Sequence, residues 1–249
     1  MDRLLELTHL AEQTHFWFRG FRGFMQPEIA RAVAGRQSPV LLDCGCGTGA
    51  NVAWLQHYGE AYGFDLTWNG LALGHQMGRT RLARASIAAI PFPDESIDVA
   101  TSFDVFQCLP GAVEDAAIRE MWRVLKPGGH LLLNVAALDV LRGRHATLSE
   151  EVRRYTPARL RRMVEAGRFD IDRLTFVNAS LFPVMLPVRI AQRWSSGGGD
   201  VPAGEFDITV PPAPLNTALT ALLRLEAAAL GIMNMPIGSS LMCHARKAI

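Results

Sequence analysis

The feature that most constrains the fold is a glycine-rich turn that follows a short apolar run. Val40-Leu41-Leu42 predicts a buried strand, and Asp43-Cys44-Gly45-Cys46-Gly47-Thr48-Gly49 follows it directly. Glycines permit positive φ and have no Cβ, so a ligand can lie against the backbone where the strand ends. A helix is predicted over residues 51–57. This strand–turn–helix pattern predicts an α/β fold with a ligand crevice at the turn.

Strands and helices continue to alternate after the turn, which predicts a mainly parallel sheet covered on both faces. Lys126-Pro127-Gly128-Gly129 is expected to stop a helix and turn the chain into the fifth strand. The predicted strands after the first one cover residues 61–65, 81–86, 97–102, 130–136, 169–178 and 241–247, and the predicted helices include 113–125 and 157–166.

About sixty residues between the sixth and seventh strands are not needed by the sheet. They predict a helix over residues 183–194, a glycine- and serine-rich stretch, a proline-rich turn and an amphipathic helix. A long insertion of this kind is more often functional than idle. The predicted organisation is an N-terminal helical segment (1–35), a Rossmann-like core (36–180), an inserted helical cap (181–240) and a final core strand (241–249).

An acidic residue follows the second strand. Tyr62-Gly63-Phe64-Asp65 places a carboxylate twenty-two residues after Asp43, where it can accept hydrogen bonds from both hydroxyls of a ribose. Dinucleotide-binding folds share this arrangement but use G-x-G-x-x-G, whereas this chain has G-x-G-x-G. The tighter spacing favours a cofactor without a pyrophosphate. A glycine turn that serves only to reverse the chain is the alternative.

The bulk composition narrows the function classes. A net charge of +1 provides no overall field that attracts nucleic acid or anionic membranes. The four cysteines lack the spacing of a zinc site, so no metal is expected, and their low number favours a reducing cytoplasm. The longest apolar stretch, residues 215–235, is interrupted by Arg224 and Glu226. We therefore expect a soluble cytoplasmic protein without a signal peptide or stable membrane insertion.

Three segments, the glycine-rich turn among them, resemble those of the class I S-adenosylmethionine (SAM)-dependent methyltransferases of the methyltransferase-11 type. Residues 43–49 resemble their first motif, residues 85–99 resemble "D-A-x-x-L-P-F-P-D-x-S-F-D", and residues 123–129 match "R-V-L-K-P-G-G". The resemblance implies a Rossmann-like, doubly wound sheet of seven strands with an antiparallel last strand, and SAM as cofactor. It implies cofactor contacts from Asp43, Gly45, Cys46, Gly47, Gly49, Asp65, Leu66, Ser86, Ile87, Phe103 and Asp104.

The chain also resembles one bacterial subgroup of relatives of the ubiquinone/menaquinone methyltransferases. The similar segments are His15-Phe16-Trp17-Phe18, Arg153-Arg154-Tyr155-Thr156, residues 178–183 and Leu225-Glu226. In the segment before Arg153, four residues of the subgroup pattern, Trp, Asp, Gly and the second His, are replaced by Arg142, Ala146, Glu150 and Glu151. These replacements keep open a SAM-binding protein without catalysis.

Catalytic candidates lie in the segment after the fifth strand. A base is needed only if the methyl acceptor is a hydroxyl, an enol or a protonated amine. His145 is the best candidate, since the ordinary histidine pKa of about 6.5 suits proton transfer near neutrality; a surface histidine without a role is the alternative. Arg153 and Tyr155 are further candidates because they lead directly from this segment into the next helix.

Substrate-binding candidates are more widely spread. His15 and Trp17 either fold over the cofactor or pack the first helix onto the sheet, and Gln107 follows the fourth strand. Arg154 belongs to a basic cluster that either grips an anionic substrate or forms ion pairs with Glu150, Glu151 and Glu165. Glu226 falls on an apolar helical stripe, where a carboxylate needs a partner. An arginine such as Arg189 is the expected partner, and substrate contact is the alternative.

These observations favour a methyltransferase that moves a methyl group from SAM to an apolar or anionic small molecule and releases S-adenosylhomocysteine. The alternatives are a SAM-binding partner or regulatory protein and a nicotinamide-dependent oxidoreductase, which the glycine spacing disfavours. Nucleic acid is not an expected partner, and the protein is expected to be a monomer or a homodimer.

Overall fold

The computed structural model describes residues 11–142, 150–195 and 210–248. Its centre is a seven-stranded sheet with the order β3-β2-β1-β4-β5-β7-β6. Strands β1 to β5 pair in parallel, and β7 runs antiparallel to both β5 and β6. The strands are β1 (Val40–Cys44), β2 (Glu60–Asp65), β3 (Leu82–Arg84), β4 (Ile97–Phe103), β5 (Leu125–Ala136), β6 (Phe169–Val177) and β7 (Ser240–Lys247).

Seven helices of the described residues cover the two faces of this sheet. One face packs against α4 and α5, and the other packs against α1, α2, α3, α6 and α7. The helices are α1 (Phe16–Val33), α2 (Ala50–Leu55), α3 (Trp68–Gln76), α4 (Gly111–Val124), α5 (Pro157–Ala166), α6 (Phe182–Ser195) and α7 (Ala213–Leu230). The doubly wound fold predicted from the alternating pattern is therefore confirmed.

The inserted helix α7 packs closely on α1. Gly20 makes this crossing feasible, since a Cβ there would lie 2.3 Å from Leu223 Cδ1. Asn216 joins the starts of the two helices: its Oδ1 accepts a hydrogen bond from Phe16 N at 2.8 Å, and its Nδ2 donates to Thr14 O at 2.9 Å. Helix α7 of the insertion thus forms one layer with α1.

The predicted start of the fifth strand is wrong, and the cause is local. Strand β5 begins at Leu125 instead of residue 130, because Leu125 already pairs with Ile97 and the register shifts before Val99. The apolar stripe predicted on α7 comprised Leu219, Leu222, Leu223 and Leu230; Leu223 and Leu230 are buried as predicted, whereas Leu222 is exposed. Within the described ranges, no helix combines the length and apolar character that a membrane-spanning segment requires.

Candidate functional site

The glycine turn lies where β1 ends, at the carboxyl edge of the parallel strands. Gly45 N and Cys46 N both donate hydrogen bonds to Phe64 O at 2.9 Å, which fixes the turn against β2. Gly45, Gly47 and Gly49 have φ values of 84°, 55° and 77°, a conformation that favours glycine. A Cβ on Gly45 would also lie 2.4 Å from Val105 Cγ2, so the turn packs directly on the segment after β4.

Asp65 at the end of β2 faces this turn. Its Oδ2 accepts a hydrogen bond from Gly47 N and its Oδ1 accepts one from Thr67 N, both at 2.8 Å. Each carboxylate oxygen has a second lone pair, so the group can accept further hydrogen bonds from a ligand. The next residue, Leu66, is 65% exposed. A carboxylate with further lone pairs available therefore lies beside an exposed apolar side chain.

Asp43 lies underneath the turn. Its carboxyl is buried, Oδ1 accepts a hydrogen bond from Thr101 Oγ1 at 2.8 Å, and Oδ2 has no hydrogen-bond partner. Burial, together with the negative charge of Asp65, raises the pKa of Asp43 to about 7. A buried carboxyl with a free oxygen is expected where a bound ligand completes the hydrogen bonding.

Ser86 and Ile87 follow β3 at the same edge of the sheet. Ser86 Oγ accepts a hydrogen bond from Ala88 N at 3.2 Å, and Ser86 O accepts one from Ala89 N at 3.0 Å. The Ile87 side chain is buried in the core. A tight turn therefore presents this segment on the side of Asp65 that faces away from Asp43.

Asp104 follows β4 on the other side of the glycine turn. Its φ of 59° is unusual for a residue with a side chain, and its Oδ1 accepts hydrogen bonds from Asn134 Nδ2 at 2.9 Å and Gln107 Nε2 at 3.5 Å. The residue is open to solvent. Protein atoms nevertheless surround the carboxyl, and this burial, with the charge of Glu151, raises its pKa to about 6. A residue that solvent reaches although protein atoms surround its carboxyl lies in a crevice.

Unpartnered buried polar atoms converge on this edge. Among the described residues, the buried side-chain atoms without a hydrogen bond are Asp43 Oδ2, Asn134 Oδ1, Arg142 Nε, Asn178 Oδ1 and Ser239 Oγ. Every one of these residues lies near the end of β1, β5 or β6 or immediately before antiparallel β7, that is, at the carboxyl edge of the sheet. Buried polar groups normally find partners, so this edge retains hydrogen-bonding capacity for a ligand or ordered water.

The side chains of Tyr155 and Arg153 contact α4 and the segment before it. Tyr155 is fully buried, its hydroxyl donates a hydrogen bond to Glu114 on α4, and burial with this carboxylate raises its pKa. The Arg153 guanidinium donates to Leu109 O and lies 3.4 Å from Glu114 Oε2. These contacts hold the segment before α5 against α4, so both residues are placed to position the site.

Arg154 and Gln107 lie nearer the crevice. Arg154 forms a two-pronged ion pair with Glu151, with N–O distances of 3.0 and 3.2 Å, and both side chains are largely buried. Gln107 O accepts hydrogen bonds from Val152 N and Arg153 N. The ion pairs predicted for the basic cluster are confirmed at Arg154–Glu151 and at Arg161–Glu165. His145 lies outside the described residues.

The remaining substrate-binding candidates have structural partners. His15 caps α1 by accepting a hydrogen bond from Trp17 N, and Trp17 packs against the core on that face. Among the described residues, Glu226 has no arginine partner, contrary to the prediction: its carboxylate accepts hydrogen bonds from Ala179 N and Ser180 N at 2.8 and 2.9 Å. Backbone donors at the turn before α6 therefore satisfy this buried charge.

One contact to the glycine turn was missed by the sequence analysis. Glu12 is buried and accepts hydrogen bonds from Thr48 Oγ1 at 2.7 Å and from Arg79 at 2.6 Å, and Arg79 also donates to Thr48 O. This network ties the chain before α1 to the turn. The three residues are far apart in sequence and form no motif, so no sequence signal could have grouped them.

The fold can be compared with solved structures. The seven-stranded sheet with an antiparallel strand between β5 and β6, and a glycine turn at the end of β1, is a Rossmann-like fold shared with methyltransferases of known structure. The SAM complex of phosphoethanolamine N-methyltransferase 2 from Haemonchus contortus superposes with a TM-score of 0.63 at 15% identity, covering 100% of this chain and 58% of that one. At this identity the likeness shows the fold.

The sequence comparisons agree. Residues 42–133 match the sequence profile of the family described as "Methyltransferase domain". A Mycolicibacterium smegmatis protein named "Probable S-adenosylmethionine-dependent methyltransferase" is 25% identical over 217 residues, 85% of this chain and 79% of that protein. A ubiquinone/menaquinone biosynthesis C-methyltransferase from Shewanella sp. (strain ANA-3) is 28% identical over 173 residues, 65% of this chain and 66% of that protein.

Residues 42–133 therefore form a methyltransferase domain of the class I SAM-dependent type, and SAM is its cofactor. The resemblance to class I SAM-dependent methyltransferases, the fold class and the cofactor predicted from the sequence are confirmed, whereas the resemblance to the bacterial subgroup stays a prediction.

Proposed function

We propose that this chain catalyses methyl transfer from SAM to an apolar small molecule that binds at the carboxyl edge of the sheet, above β4, β5 and β6. The location of the reaction is supported most strongly by the convergence of unpartnered buried polar atoms on that edge, next to the glycine turn and Asp65. These atoms extend beyond the turn towards β6, farther than a cofactor seated on β1 and β2 requires.

The residues around the turn fit SAM. Asp65 would accept hydrogen bonds from the ribose hydroxyls, the Leu66 side chain and the Ile87 backbone N–H would contact the adenine, and Ser86 would lie beside its amino group. The glycine backbone at Gly45, Cys46, Gly47 and Gly49 would allow close approach, while Phe103 and Asp104 would line the methionine end. Asp43, whose Oδ2 has no partner, would accept a hydrogen bond there. Two carboxyls near a bound cation give favourable electrostatics.

When bound, SAM supplies a methyl group on a positively charged sulfur, so the difficult chemistry belongs to the cofactor. The protein must align the acceptor and exclude water; alignment alone supplies up to about 7–11 kcal/mol in favourable cases. Phe21 on α1 contacts Phe103 edge-on, with ring centroids 4.9 Å apart. Because the Glu12 network also ties the chain before α1 to the turn, α1 is well placed to shield the crevice from water.

The surroundings of the acceptor side favour an apolar molecule. Val140 follows β5, Val184 and Val188 lie on α6, and all three are exposed although α6 contacts the turn at residues 139–141. Of the arginines nearby, Arg153 pairs with Glu114 and Arg154 pairs with Glu151, whereas Arg142, among the described residues, donates only to Glu151 O at 3.4 Å and its Nε has no partner. An anionic acceptor would have to break the two ion pairs to bind Arg153 or Arg154. A relative named for ubiquinone/menaquinone biosynthesis is consistent with an apolar acceptor.

The test is detection of S-adenosylhomocysteine when the purified protein is incubated with SAM and a panel of hydroquinones, phenols and amines with and without alkyl tails. We expect product with at least one alkylated acceptor and at least about tenfold less with its short analogue. The exposed Asp170→Asn variant at the other edge of the sheet serves as the matched control and should keep full activity. Tight SAM binding without product from any acceptor would favour the regulatory alternative.

SAM affinity should depend on pH through Asp43 and Asp104. Their pKa values lie at about 7 and about 6 before binding, and the cationic cofactor favours the ionised carboxylates, so binding lowers both pKa values and releases protons. Affinity should rise between pH 5 and pH 8, by about tenfold or more in total, and level off above that range. Calorimetry in buffers of different ionisation enthalpy measures the proton release directly.

Two comparisons make this prediction specific. Asp104→Asn should flatten the part of the profile near pH 6, and S-adenosylhomocysteine, which lacks the sulfonium charge, should show a weaker dependence than SAM. An affinity for SAM that stays constant from pH 5 to pH 8 would show that neither carboxyl is coupled to the bound cation.

A further inference from the structure

A cluster of metal-ligating side chains lies at the edge of the sheet opposite the glycine turn. His130, Asp172 and His244, which we call the histidine cluster, each place one ligand atom within 4.8 Å of the other two. His130 lies in β5, Asp172 near the start of β6 and His244 near the end of antiparallel β7. Residues 42, 114 and 72 positions apart are thus brought together by strand pairing.

An irregularity in β6 helps to build the cluster. The pairing of β6 with β7 shifts register between Ile171 and Arg173, so Asp172 lies at a bulge. Bulges redirect side chains and are common next to functional sites. Asp172 is exposed and His130 is partly exposed, whereas His244 is fully buried. The cluster is therefore open to solvent on one side and fixed to the core on the other.

The buried carboxylate of Glu28 on α1 orients His244. Glu28 Oε2 lies 2.7 Å from His244 Nδ1, and Arg173 holds the other oxygen at 2.7 Å. In the neutral ring this contact keeps the proton on Nδ1 and leaves the Nε2 lone pair directed at His130. Metal-binding histidines usually donate the N–H of the other ring nitrogen to a carboxylate, which fixes the orientation of the imidazole.

The spacing suits an ion between the two rings. His244 Nε2 lies 2.9 Å from His130 Nδ1. Nitrogens that each bind a tetrahedral zinc ion at about 2.0–2.1 Å are about 3.3 Å apart, so the rings need to separate by only a few tenths of an ångström. From this geometry we propose that His130, Asp172 and His244 bind a divalent transition-metal ion such as Zn²⁺, with water at the fourth position.

The charges around the cluster leave room for a cation. Arg246 lies 3.3 Å from Asp172 and is half-exposed, so it can turn to solvent when the carboxylate binds metal. Arg36, which also faces His130, is paired with Asp98 at 2.8 Å. A ligand set of two imidazoles and one carboxylate binds zinc, nickel and cobalt in preference to magnesium and calcium.

A bound ion would strengthen the link between α1 and the sheet. Coordination polarises His244 and therefore strengthens its hydrogen bond to Glu28, which lies on α1. Since α1 also contacts Phe103 beside the cofactor crevice, the ion would stabilise the helix that covers the site. The ion is structural in this account, and it is remote from the glycine turn.

The test is titration of untagged, chelator-treated protein with Co²⁺ and Zn²⁺, followed by visible absorption and calorimetry. We expect one equivalent to bind, with the intense visible bands of four-coordinate Co²⁺, and a higher Tm in excess Zn²⁺. His130→Asn and Asp172→Asn should each weaken binding at least about tenfold. Glu28→Gln should weaken it about 10–100-fold while the one-to-one stoichiometry is retained.

Matched controls keep this test independent of folding and of the cofactor. His57→Asn and Asp170→Asn replace exposed residues of the same types outside the cluster and should bind metal like the original protein. SAM affinity should be unchanged in Asp172→Asn, so failure here would leave the proposed function intact. The proposal is overturned if no stoichiometric binding occurs, if binding survives both cluster substitutions, or if Co²⁺ shows thiolate charge-transfer bands.

Discussion

Replacing Asp65 with alanine should weaken SAM binding by about 100-fold or more while the protein remains folded. The carboxylate would accept hydrogen bonds from two ribose hydroxyls, and hydrogen bonds to charged groups contribute about 1.5–3 kcal/mol each. A loss of at least about 3 kcal/mol corresponds to about two orders of magnitude in Kd. Asp65 also anchors Gly47 N and Thr67 N, so the turn itself should loosen. Calorimetric titration with SAM measures the change.

Glu60→Ala is the matched control for this substitution, because Glu60 is an exposed acid at the opposite end of the same strand. It should bind SAM normally. Thermal unfolding of both variants separates loss of a contact from loss of the fold. Unchanged SAM affinity in a folded Asp65→Ala protein would remove this carboxylate from the cofactor site.

Replacing Glu114 with alanine should cause the largest loss of stability among the site variants, about 3 kcal/mol. The buried carboxylate accepts a hydrogen bond from the Tyr155 hydroxyl and pairs with Arg153 and Arg159. Removing one partner of a buried ion pair costs about 3–5 kcal/mol, and the lower end applies because Arg159 is partly exposed. In a chain of this size the Tm should fall by about 6–12 °C. Differential scanning calorimetry measures it, with exposed Asp115→Ala as control.

Tyr155→Phe then separates a structural role for Tyr155 from a catalytic one. It removes one hydrogen bond and leaves Glu114 its arginine partners, so the expected cost is about 1–2 kcal/mol. If Tyr155 positions the segment before α5, the Phe variant should transfer methyl groups at a rate within a few-fold of the original protein's, measured at temperatures below the Tm of the variant. Loss of at least about a thousandfold in kcat with unchanged Tm would instead indicate that the hydroxyl takes part in the reaction.

The elements that could be predicted from sequence are those with strong local signals. The apolar run of β1 followed by Gly45, Gly47 and Gly49 defines a strand and a turn within ten residues. Helix α5 covers residues 157–166 as predicted, and Thr156 Oγ1 indeed caps its start by accepting a hydrogen bond from Arg159 N. In both cases the residues that determine the local structure are close to one another in the sequence.

Helix α3 was not predicted, and its glycines explain why. Gly70 and Gly74 lower the helix propensity of residues 68–76. The fold requires Gly74, since a Cβ there would lie 2.3 Å from Thr48 O in the glycine turn. Close packing against another segment therefore outweighs local propensity, and a single sequence does not show that contact.

The candidate site divides in the same way. Asp43 and Asp65 were predicted because each stands at a strand end beside a recognisable pattern. The partners of Glu226 and the burial of Tyr155 depend on contacts across the fold, with Ser180 and Glu114 respectively. Residues with a charge or a ring can serve either packing or chemistry, and the packing of distant elements decides between the two.

The most direct test of the account is a crystal structure of the protein grown with excess S-adenosylhomocysteine. We expect the ribose hydroxyls within hydrogen-bonding distance of Asp65, the adenine between Leu66 and Ile87, and the sulfur facing the edge that carries Asp104 and Asn134. An empty crevice at saturating ligand, or the nucleoside bound elsewhere on the chain, would contradict the assignment of the glycine turn as the cofactor site.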